Sequence, residues 1–276
     1  MKKKKAVKIT CEDNEWNYLI LKRETEMSEQ ATNALRAKRL PPKVDGQNRA
    51  KRSVRLIAEF QRDKKTNKMV LKPETKGRLY CLVPLSKDLL FPFKIGIDAD
   101  WFMPSDRKSV NNDNKAQLWH TELMDSTLPS LISEYLTTLG SMKGKERLEC
   151  TNIFPDNDKY PLAFEFLGEN EFQKTLKDEL VKCKFVMCAD GEVRMPTEVR
   201  RVPVAPIGGG RYPKIERPIS QQIYSDLINK CFKIPIMDPD SIHKNATNYL
   251  ANKLELFEFP NSSEIIVEEV LSLIHI

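Results

Sequence analysis

The sequence predicts an α/β fold, of the α+β kind, in which a mixed sheet is covered by helices on one face. Three observations predict it. The front half holds β-branched and aromatic runs separated by polar connections. The stretch from Phe91 to Val110 alternates apolar and polar side chains. After Val110, apolar residues return at helical spacing. A smaller, mainly helical part is expected to follow.

The predicted strands begin with a pair formed by residues 6–11 (AVKITC) and 16–23 (WNYLILKR). Residues 53–62 (SVRLIAEFQR) then alternate across two faces. From Phe93 to Trp101 every odd-numbered residue is apolar, and the even-numbered Lys94, Asp98 and Asp100 face the opposite way. We therefore expect one continuous strand with a buried face and a polar face.

The predicted helices follow this strand. Residues 112–124 offer Asn and Asp as caps, and residues 126–140 place Leu and Ile at helical spacing up to Gly140. Pro129 fits near a helix start, where its missing N–H costs little. These patterns predict a middle or transducer-like α/β domain over 1–145. A smaller extension over 146–276 would contain a flexible Gly/Pro-rich loop at 203–218.

The charge of the chain is concentrated at its front. Residues 1–65 hold 18 Lys and Arg against 9 Asp and Glu, whereas the remainder holds 27 against 30. Such a region could meet nucleic acid, nucleotide phosphates or an acidic partner, or it could be a solvated face. With 40% hydrophobic residues, the chain can bury a proper core, which excludes a disordered protein.

Several function classes find no support in the sequence. There is no apolar run of the length that a signal peptide or a membrane span needs, so we expect a cytoplasmic protein without membrane contact. The six cysteines are scattered, with no zinc-site spacing, and the three histidines form no catalytic arrangement. No metal site and no enzymatic activity are expected for this chain alone.

A set of motifs in residues 50–200 resembles sacsin-like proteins. In these, a strand end of the type "flp" is followed by a strand ending in "adF", a serine and an arginine, a tryptophan-containing helix with "lP.l", and later a "dG.w..Ps.v" element. The last element is matched by CADGEVRMPTEV (188–199), with Val193 where an aromatic is usual. The remaining matches are Leu82 to Leu85, Phe93 to Phe102, Ser105, Arg107, Trp119 and Leu128 to Ser130.

The resemblance implies part of a chaperone-type ATPase of the GHKL superfamily. Sacsin-like proteins carry an ATPase module similar to that of the ninety-kilodalton heat-shock chaperone, and this chain resembles the region that follows the nucleotide-binding domain. Ser105, Arg107 and Lys108 are similar to the element that reaches the ATP of the neighbouring domain, with Asp106 as an extra residue. Arg107 would then contact the γ-phosphate, with ATP and Mg²⁺ held by the N-terminal ATPase domain of the parent protein.

Other interpretations remain open. Arg107 could instead pair with Asp100, Asp106 or Asp113 at the surface. The chain could also be a protein-interaction scaffold. A third alternative is a nucleic-acid-binding module that uses basic residues of the front third, namely Arg36, Lys38, Arg39, Arg49, Lys51, Arg52 and Arg55.

Two further features bear on the extent of the chain. Glu29 and Asn33 match part of an ATPase nucleotide-site helix, but Arg36 replaces the expected aspartate and no D-x-G-x-G follows, so we expect an amphipathic surface helix. The final LSLIHI (271–276) resembles translated sequencing-adapter read-through from metagenomic assemblies. Both observations lead us to expect a fragment of a larger protein.

Overall fold

A computed structural model describes residues 3–11, 14–37, 51–62, 69–71, 77–81, 83–86, 89–105, 108–142, 144–155, 160–201, 234–238 and 241–258. Within these residues no helix is both long enough and apolar enough to cross a membrane. The predicted loop at 203–218 and the terminal residues 271–276 lie outside the described residues.

Among the described residues, eight strands form one mixed sheet, which confirms the predicted fold class. Its order is β1-β2-β3-β8-β5-β6, with β4 paired to β3 and β7 paired to β5. The β5–β8 pair is parallel and the other pairs are antiparallel. The strands are β1 (Lys3–Cys11), β2 (Asn14–Glu26), β3 (Lys51–Arg62), β4 (Met69–Leu71), β5 (Gly77–Cys81), β6 (Val83–Pro84), β7 (Leu90–Phe91) and β8 (Gly96–Asp98).

Helices α2 (Asn114–Asp125) and α3 (Thr127–Thr138) pack on one face of this sheet, where α2 contacts β3 and α3 contacts β2 and β3. Alternate residues of β3 are buried there, and the register places Leu56 between Leu21 of β2 and Ile97 of β8. Arg23 Nη2 and Glu134 Oε2 form an ion pair of 3.2 Å between the sheet and a helix. The helices are α1 (Glu29–Ala37), α2 (Asn114–Asp125), α3 (Thr127–Thr138), α4 (Gly144–Thr151), α5 (Asn170–Leu180) and α6 (Lys244–Asn248), and β9 (Val186–Met187) and β10 (Val193–Arg194) form a separate hairpin.

The prediction of one continuous strand after Phe91 is wrong, because the chain bends between β7 and β8. Arg78 of β5 pairs with Leu90 on one side and with Gly96 on the other, so the chain crosses from one side of β5 to the other. It does so next to Gly77, where a Cβ would lie 1.9 Å from the carbonyl oxygen of Phe93. Only glycine permits so close an approach of two backbones.

The bend also changes which side chains are buried. Lys94 was expected on the polar face, but it is 9% exposed, and its Nζ donates a hydrogen bond of 3.0 Å to Oδ1 of Asn152. Asp98 and Asp100 were expected on the same face. They pair instead with Arg55 and Arg52, which lie on opposite faces of β3 because they are three residues apart. Period two holds only while the strand remains straight.

The hydrophobic core is continuous across residue 145. Phe93 packs against Phe154, Phe172 and Tyr249, with ring centroids 6.1, 6.3 and 6.1 Å away. Side chains from both sides of residue 145 thus share this core. The division of the chain into two domains there stays a prediction. The helix over Glu29–Ala37 is amphipathic as expected, since Ala31 is buried among its residues whereas Glu29 and Asn33 are exposed.

Candidate functional site

The candidate site is a loop formed by residues 103–110 and closed at its base. The backbone N–H of Asn111 donates a hydrogen bond of 2.8 Å to the carbonyl oxygen of Phe102. Val110 is buried and anchors the returning arm. Asp113 then caps α2, because its Oδ1 accepts hydrogen bonds from the backbone N–H groups of Lys115 and Ala116 at 3.1 and 3.0 Å. Both ends of the loop are thus held by the folded core.

The described residues on either side of the loop tip are exposed to solvent. Ser105 and Lys108, two of the residues predicted from the sequence to contact phosphate, are both exposed. Arg107, predicted to be catalytic, lies outside the described residues, as does Asp106. A hydroxyl and an ammonium group at an exposed tip can both donate hydrogen bonds to phosphate oxygens.

The entering arm of the loop is held by α2. Trp119 Nε1–H donates a hydrogen bond of 2.7 Å to the carbonyl oxygen of Asp100. The Phe102 ring lies parallel to the Trp119 ring, with centroids 5.4 Å apart and an interplanar angle of 6°. These contacts fix the chain from Asp100 to Phe102 before it leaves the core.

The buried His120 also holds the entering arm, at Phe102. Its Nε2 accepts a hydrogen bond of 2.9 Å from the backbone N–H of Phe102, so the proton of the ring is on Nδ1. Nδ1 has no hydrogen-bond partner. Burial lowers the pKa of His120 to about 3, although Asp113 acts in the opposite direction. His120 is therefore a neutral structural acceptor, with no access to solvent for acid–base chemistry.

Two arginines of the proposed nucleic-acid surface are engaged in ion pairs. Arg52 Nε lies 2.7 Å from Oδ2 of Asp100, and its guanidinium lies 5.8 Å from the centroid of the Trp119 ring. Arg55 pairs with Asp98 on the other face of β3. Lys51 is exposed. Arg36 belongs to α1, but its side chain lies outside the described part, as do Lys38, Arg39 and Arg49.

Sequence reasoning missed Arg52 and His120 as supports of the loop. Arg52 was counted among the surface cations, and His120 appeared as a lone histidine. The register between β3 and β8 was the signal that could have found Arg52, because it pairs Arg55 with Asp98 and so brings Arg52 near Asp100. That register is not visible in the sequence of either strand alone.

An open groove of about 560 Å³ runs beside the returning arm of the loop. Its lining is neutral and largely apolar, and Leu162 on its wall is 60% exposed. The walls are Leu89 and Leu90, residues 109–112 of the loop and its exit, and residues 161–164.

Comparison of the chain with models of protein families, with curated proteins and with solved structures found no match. Within the described residues, no group of three or more His, Cys, Asp or Glu side chains is arranged to hold a metal ion. Cys81, Cys150, Cys183 and Cys188 form no disulfide bond.

The charged form of Asp125, a half-buried carboxylate at the end of α2, is electrostatically unfavourable. Burial, together with the carboxylates of Glu169, Glu171 and Glu122, raises the pKa of Asp125 to about 6. Its folded-state pKa exceeds the ordinary value of 3.8, so the native state binds the proton more tightly than the unfolded state. Stability contributed by the protonated form is therefore lost as pH rises from about 4 to 6.

We expect Asp125→Asn to increase the free energy of unfolding at pH 7 by up to about 1 kcal/mol, a value reduced for the solvent that screens a half-exposed group. The gain should disappear below about pH 4, where Asp125 is protonated in both states. Urea unfolding at pH 4 and pH 7 measures it, with the exposed Asp178→Asn as control. A loss of stability at pH 7 would contradict the assigned repulsion.

Proposed function

We propose that this chain is the middle or transducer region of a sacsin-like, heat-shock-chaperone-type ATP-binding protein. In this role it couples the nucleotide state of an N-terminal ATPase domain to conformational change, and its loop supplies Arg107 to the γ-phosphate of ATP. The observation that carries the proposal is the loop closed by the Asn111–Phe102 hydrogen bond, with the exposed Ser105 and Lys108 on it.

The arrangement suits contact with a phosphate held by another domain. A loop with a fixed base and an exposed tip keeps its donors in place while a neighbouring domain approaches. A guanidinium is always charged and presents a planar fork of donors that matches two phosphate oxygens. The hydroxyl of Ser105 and the ammonium group of Lys108 would add two further donors to the phosphate oxygens.

ATP, bound with Mg²⁺ by the ATPase domain, supplies the phosphoryl group and its negative charge. The part of this chain is to bring positive charge towards that group, which stabilises the charge that develops during hydrolysis. Closure of the two domains would then depend on the presence of the γ-phosphate, and loss of that group would release the loop.

The nucleic-acid alternative is less well supported by the described side chains. Arg52 and Arg55 are paired with Asp100 and Asp98, so two of the seven proposed cations are already matched by carboxylates. A phosphate-binding surface needs cations that remain available to the backbone of the nucleic acid. We therefore retain the phosphate-contact loop as the proposed function.

The test is ATP hydrolysis by the parent protein that joins this chain to its nucleotide-binding domain. We expect Arg107→Ala to lower kcat by about 10³-fold with little change in ATP affinity, because the arginine acts on the charge of the transition state. Arg78→Ala, at an exposed position of β5, is the matched control and should leave kcat unchanged. Wild-type kcat for Arg107→Ala would exclude the proposal, as would ATP turnover by this chain alone.

A further inference from the structure

The groove beside the loop is lined by residues that the folded core holds in place. Of these, Val110 and Phe164 are buried. The Phe164 ring packs edge-on against the ring of Trp101, with centroids 5.7 Å apart. Nε2 of Gln117 donates a hydrogen bond of 3.2 Å to the carbonyl oxygen of Leu162, which ties that wall to α2. The groove is therefore preformed, and little ordering of the protein is needed when a ligand binds.

The lining of the groove carries no charge. None of the ten described residues that form it is Asp, Glu, Lys or Arg. Charged residues make up 30% of the chain, so about three would be expected among ten residues drawn at random. A charged group that enters an apolar groove loses hydration and finds no opposite charge there. The lining therefore matches an uncharged ligand and disfavours a phosphate group or the charged side chains of a partner.

Leu162 gives the groove an exposed apolar wall. Among the residues that the structure describes, it is the only large hydrophobic side chain that is mostly exposed, at 60%. Leu89 and Leu90, which also line the groove, are half-buried. Contact of these side chains with an apolar ligand would remove apolar area from water, which favours binding roughly in proportion to the area removed. An apolar group of a ligand thus has a defined place beside Leu162.

Three uncharged polar side chains complete the lining, namely Ser109, Asn111 and Asn112. Ser109 and Asn112 are exposed, and Asn111 is half-buried. Within the described part of the chain, these three side chains form no hydrogen bond. The amide group of asparagine presents a carbonyl acceptor and an NH₂ donor, which are complementary to the N–H and C=O groups of a peptide bond. The groove thus combines an apolar wall with uncharged hydrogen-bonding groups.

We propose that this groove binds a short, uncharged segment of another polypeptide in an extended conformation. An aliphatic side chain of the segment packs against Leu162, and its peptide groups form hydrogen bonds with Asn111 and Asn112. The partner is thus defined by its chemistry, an aliphatic stretch of chain without charge. The inference does not rest on the proposed function, because it uses residues 109–112 and the wall at residues 161–164 and needs no phosphate.

A small apolar molecule is a less suitable occupant. Sites for small molecules enclose most of the surface of the ligand, whereas this groove is open. An extended chain can lie in an open groove and continue beyond it, and its backbone amide groups recur along its length. The unpaired side chains of Asn111 and Asn112 suit such groups better than they suit a purely apolar molecule.

The test is a ¹H–¹⁵N NMR titration of the full chain with the uncharged peptide acetyl-SLVLAS-amide. We expect saturable shifts at the backbone amides of residues 109–112 and 162–164 and at the side-chain NH₂ groups of Asn111 and Asn112, with a dissociation constant of about 0.1–1 mM. Leu162→Ser should weaken binding about five- to tenfold, because apolar area buried on binding is lost. Since this side chain is mostly exposed, the variant should fold like the wild type.

Val193→Ser is the matched control. It replaces a half-exposed aliphatic residue of the separate hairpin, outside the lining of the groove. We expect it to leave the dissociation constant unchanged. This control separates a loss of contact at Leu162 from a general effect of removing an aliphatic side chain.

A second measurement tests the preference for an uncharged ligand. The peptides acetyl-SLVNAS-amide and acetyl-SLVDAS-amide have the same shape and differ in charge, and we expect the second to bind at least about threefold more weakly. Asn112→Lys should strengthen binding of the charged peptide about two- to fivefold, the range for an exposed ion pair. Asn114→Lys adds the same charge outside the lining and should leave this binding unchanged.

Several results would overturn the inference. They are unchanged affinity in Leu162→Ser, equal binding of the charged and uncharged peptides, and peptide-induced shifts confined to other parts of the chain. Shifts of the groove residues with the uncharged dye Nile red but with no peptide would assign the groove to small molecules. Shifts that depend on protein concentration alone would assign it to a second copy of the chain. No step involves ATP, so this outcome and that of the hydrolysis experiment are independent.

Discussion

Gly77→Ala should destabilise the protein by more than about 4 kcal/mol, or prevent folding, because the new methyl group would occupy the place of a backbone carbonyl. The Cβ would lie 1.9 Å from the oxygen of Phe93 and 2.6 Å from that of Phe91. Both atoms belong to the main chain at the crossing, so no side-chain rotation relieves the contact. Relief requires β7 or β8 to separate from β5.

Gly140→Ala provides the matched control. Nothing lies within 4 Å of a Cβ at that position, so we expect a change within about 1 kcal/mol, with a small gain from the reduced freedom of the unfolded chain. Urea unfolding followed by circular dichroism measures both variants. If Gly77→Ala matched the wild type in stability, the chain could not cross from one side of β5 to the other at this point.

The crossing matters for the site because it places β8 inside the sheet. β8 lies between β3 and β5, and the chain that leaves it meets α2 and Arg52 of β3 at once. If β7 and β8 were one straight strand, it would pair along only one side of β5. Gly77 thus determines where the loop of residues 103–110 begins, although the glycine is distant from the loop in the sequence.

The sequence predicted burial in this region better than it predicted topology. Phe93, Ile95, Ile97 and Trp101 are buried as the alternation indicated. The odd-numbered residues stay buried although the chain bends, so their pattern does not reveal the bend, which instead changes the burial of even-numbered residues such as Lys94. The position of the bend depends on Gly77, a residue of another strand, which local patterning does not contain.

The candidate site was predicted in part. The exposed positions of Ser105 and Lys108 agree with the loop expected after the strand, and Asp113 caps the next helix as its residue type indicated. The supports of the loop were not predicted, because Arg52 and His120 come from a distant strand and from the interior of a helix. Their roles depend on hydrogen bonds and ion pairs that form only in the folded chain.

Acidification should destabilise the protein through His120, by up to about 1.4 kcal/mol for each pH unit below 6.5. The folded-state pKa is about 3 and the ordinary value is 6.5, so between these values the unfolded state binds the proton and the native state does not. The loss therefore grows as pH falls through this window, to about 4–5 kcal/mol at its lower end. Protonation of Asp125 stabilises the native state as pH falls from about 6 to 4 and so offsets part of this loss. Measuring in an Asp125→Asn background removes that contribution.

His120→Gln isolates the titration from the packing. Glutamine keeps a side-chain oxygen that can accept the hydrogen bond from the Phe102 N–H but does not titrate. We expect this variant to be less stable at pH 7, because it loses ring contacts with Trp101 and Phe102, and to depend less on pH between 6.5 and 3. Urea unfolding of both proteins across this range gives the difference, in which the contributions of His243 and His275 cancel.

The native protein cannot satisfy a proton on Nε2 of His120 without breaking the hydrogen bond from the Phe102 N–H, since two donors would then face each other. Acid should therefore release the base of the loop before the rest of the core. Amide hydrogen exchange at Phe102 measures this, and it should accelerate more than exchange at Leu136 as pH is lowered from 7 to 5, once the intrinsic rates are corrected. Parallel pH dependence of the wild type and His120→Gln would show that His120 is not the buried acceptor on which the entering arm depends.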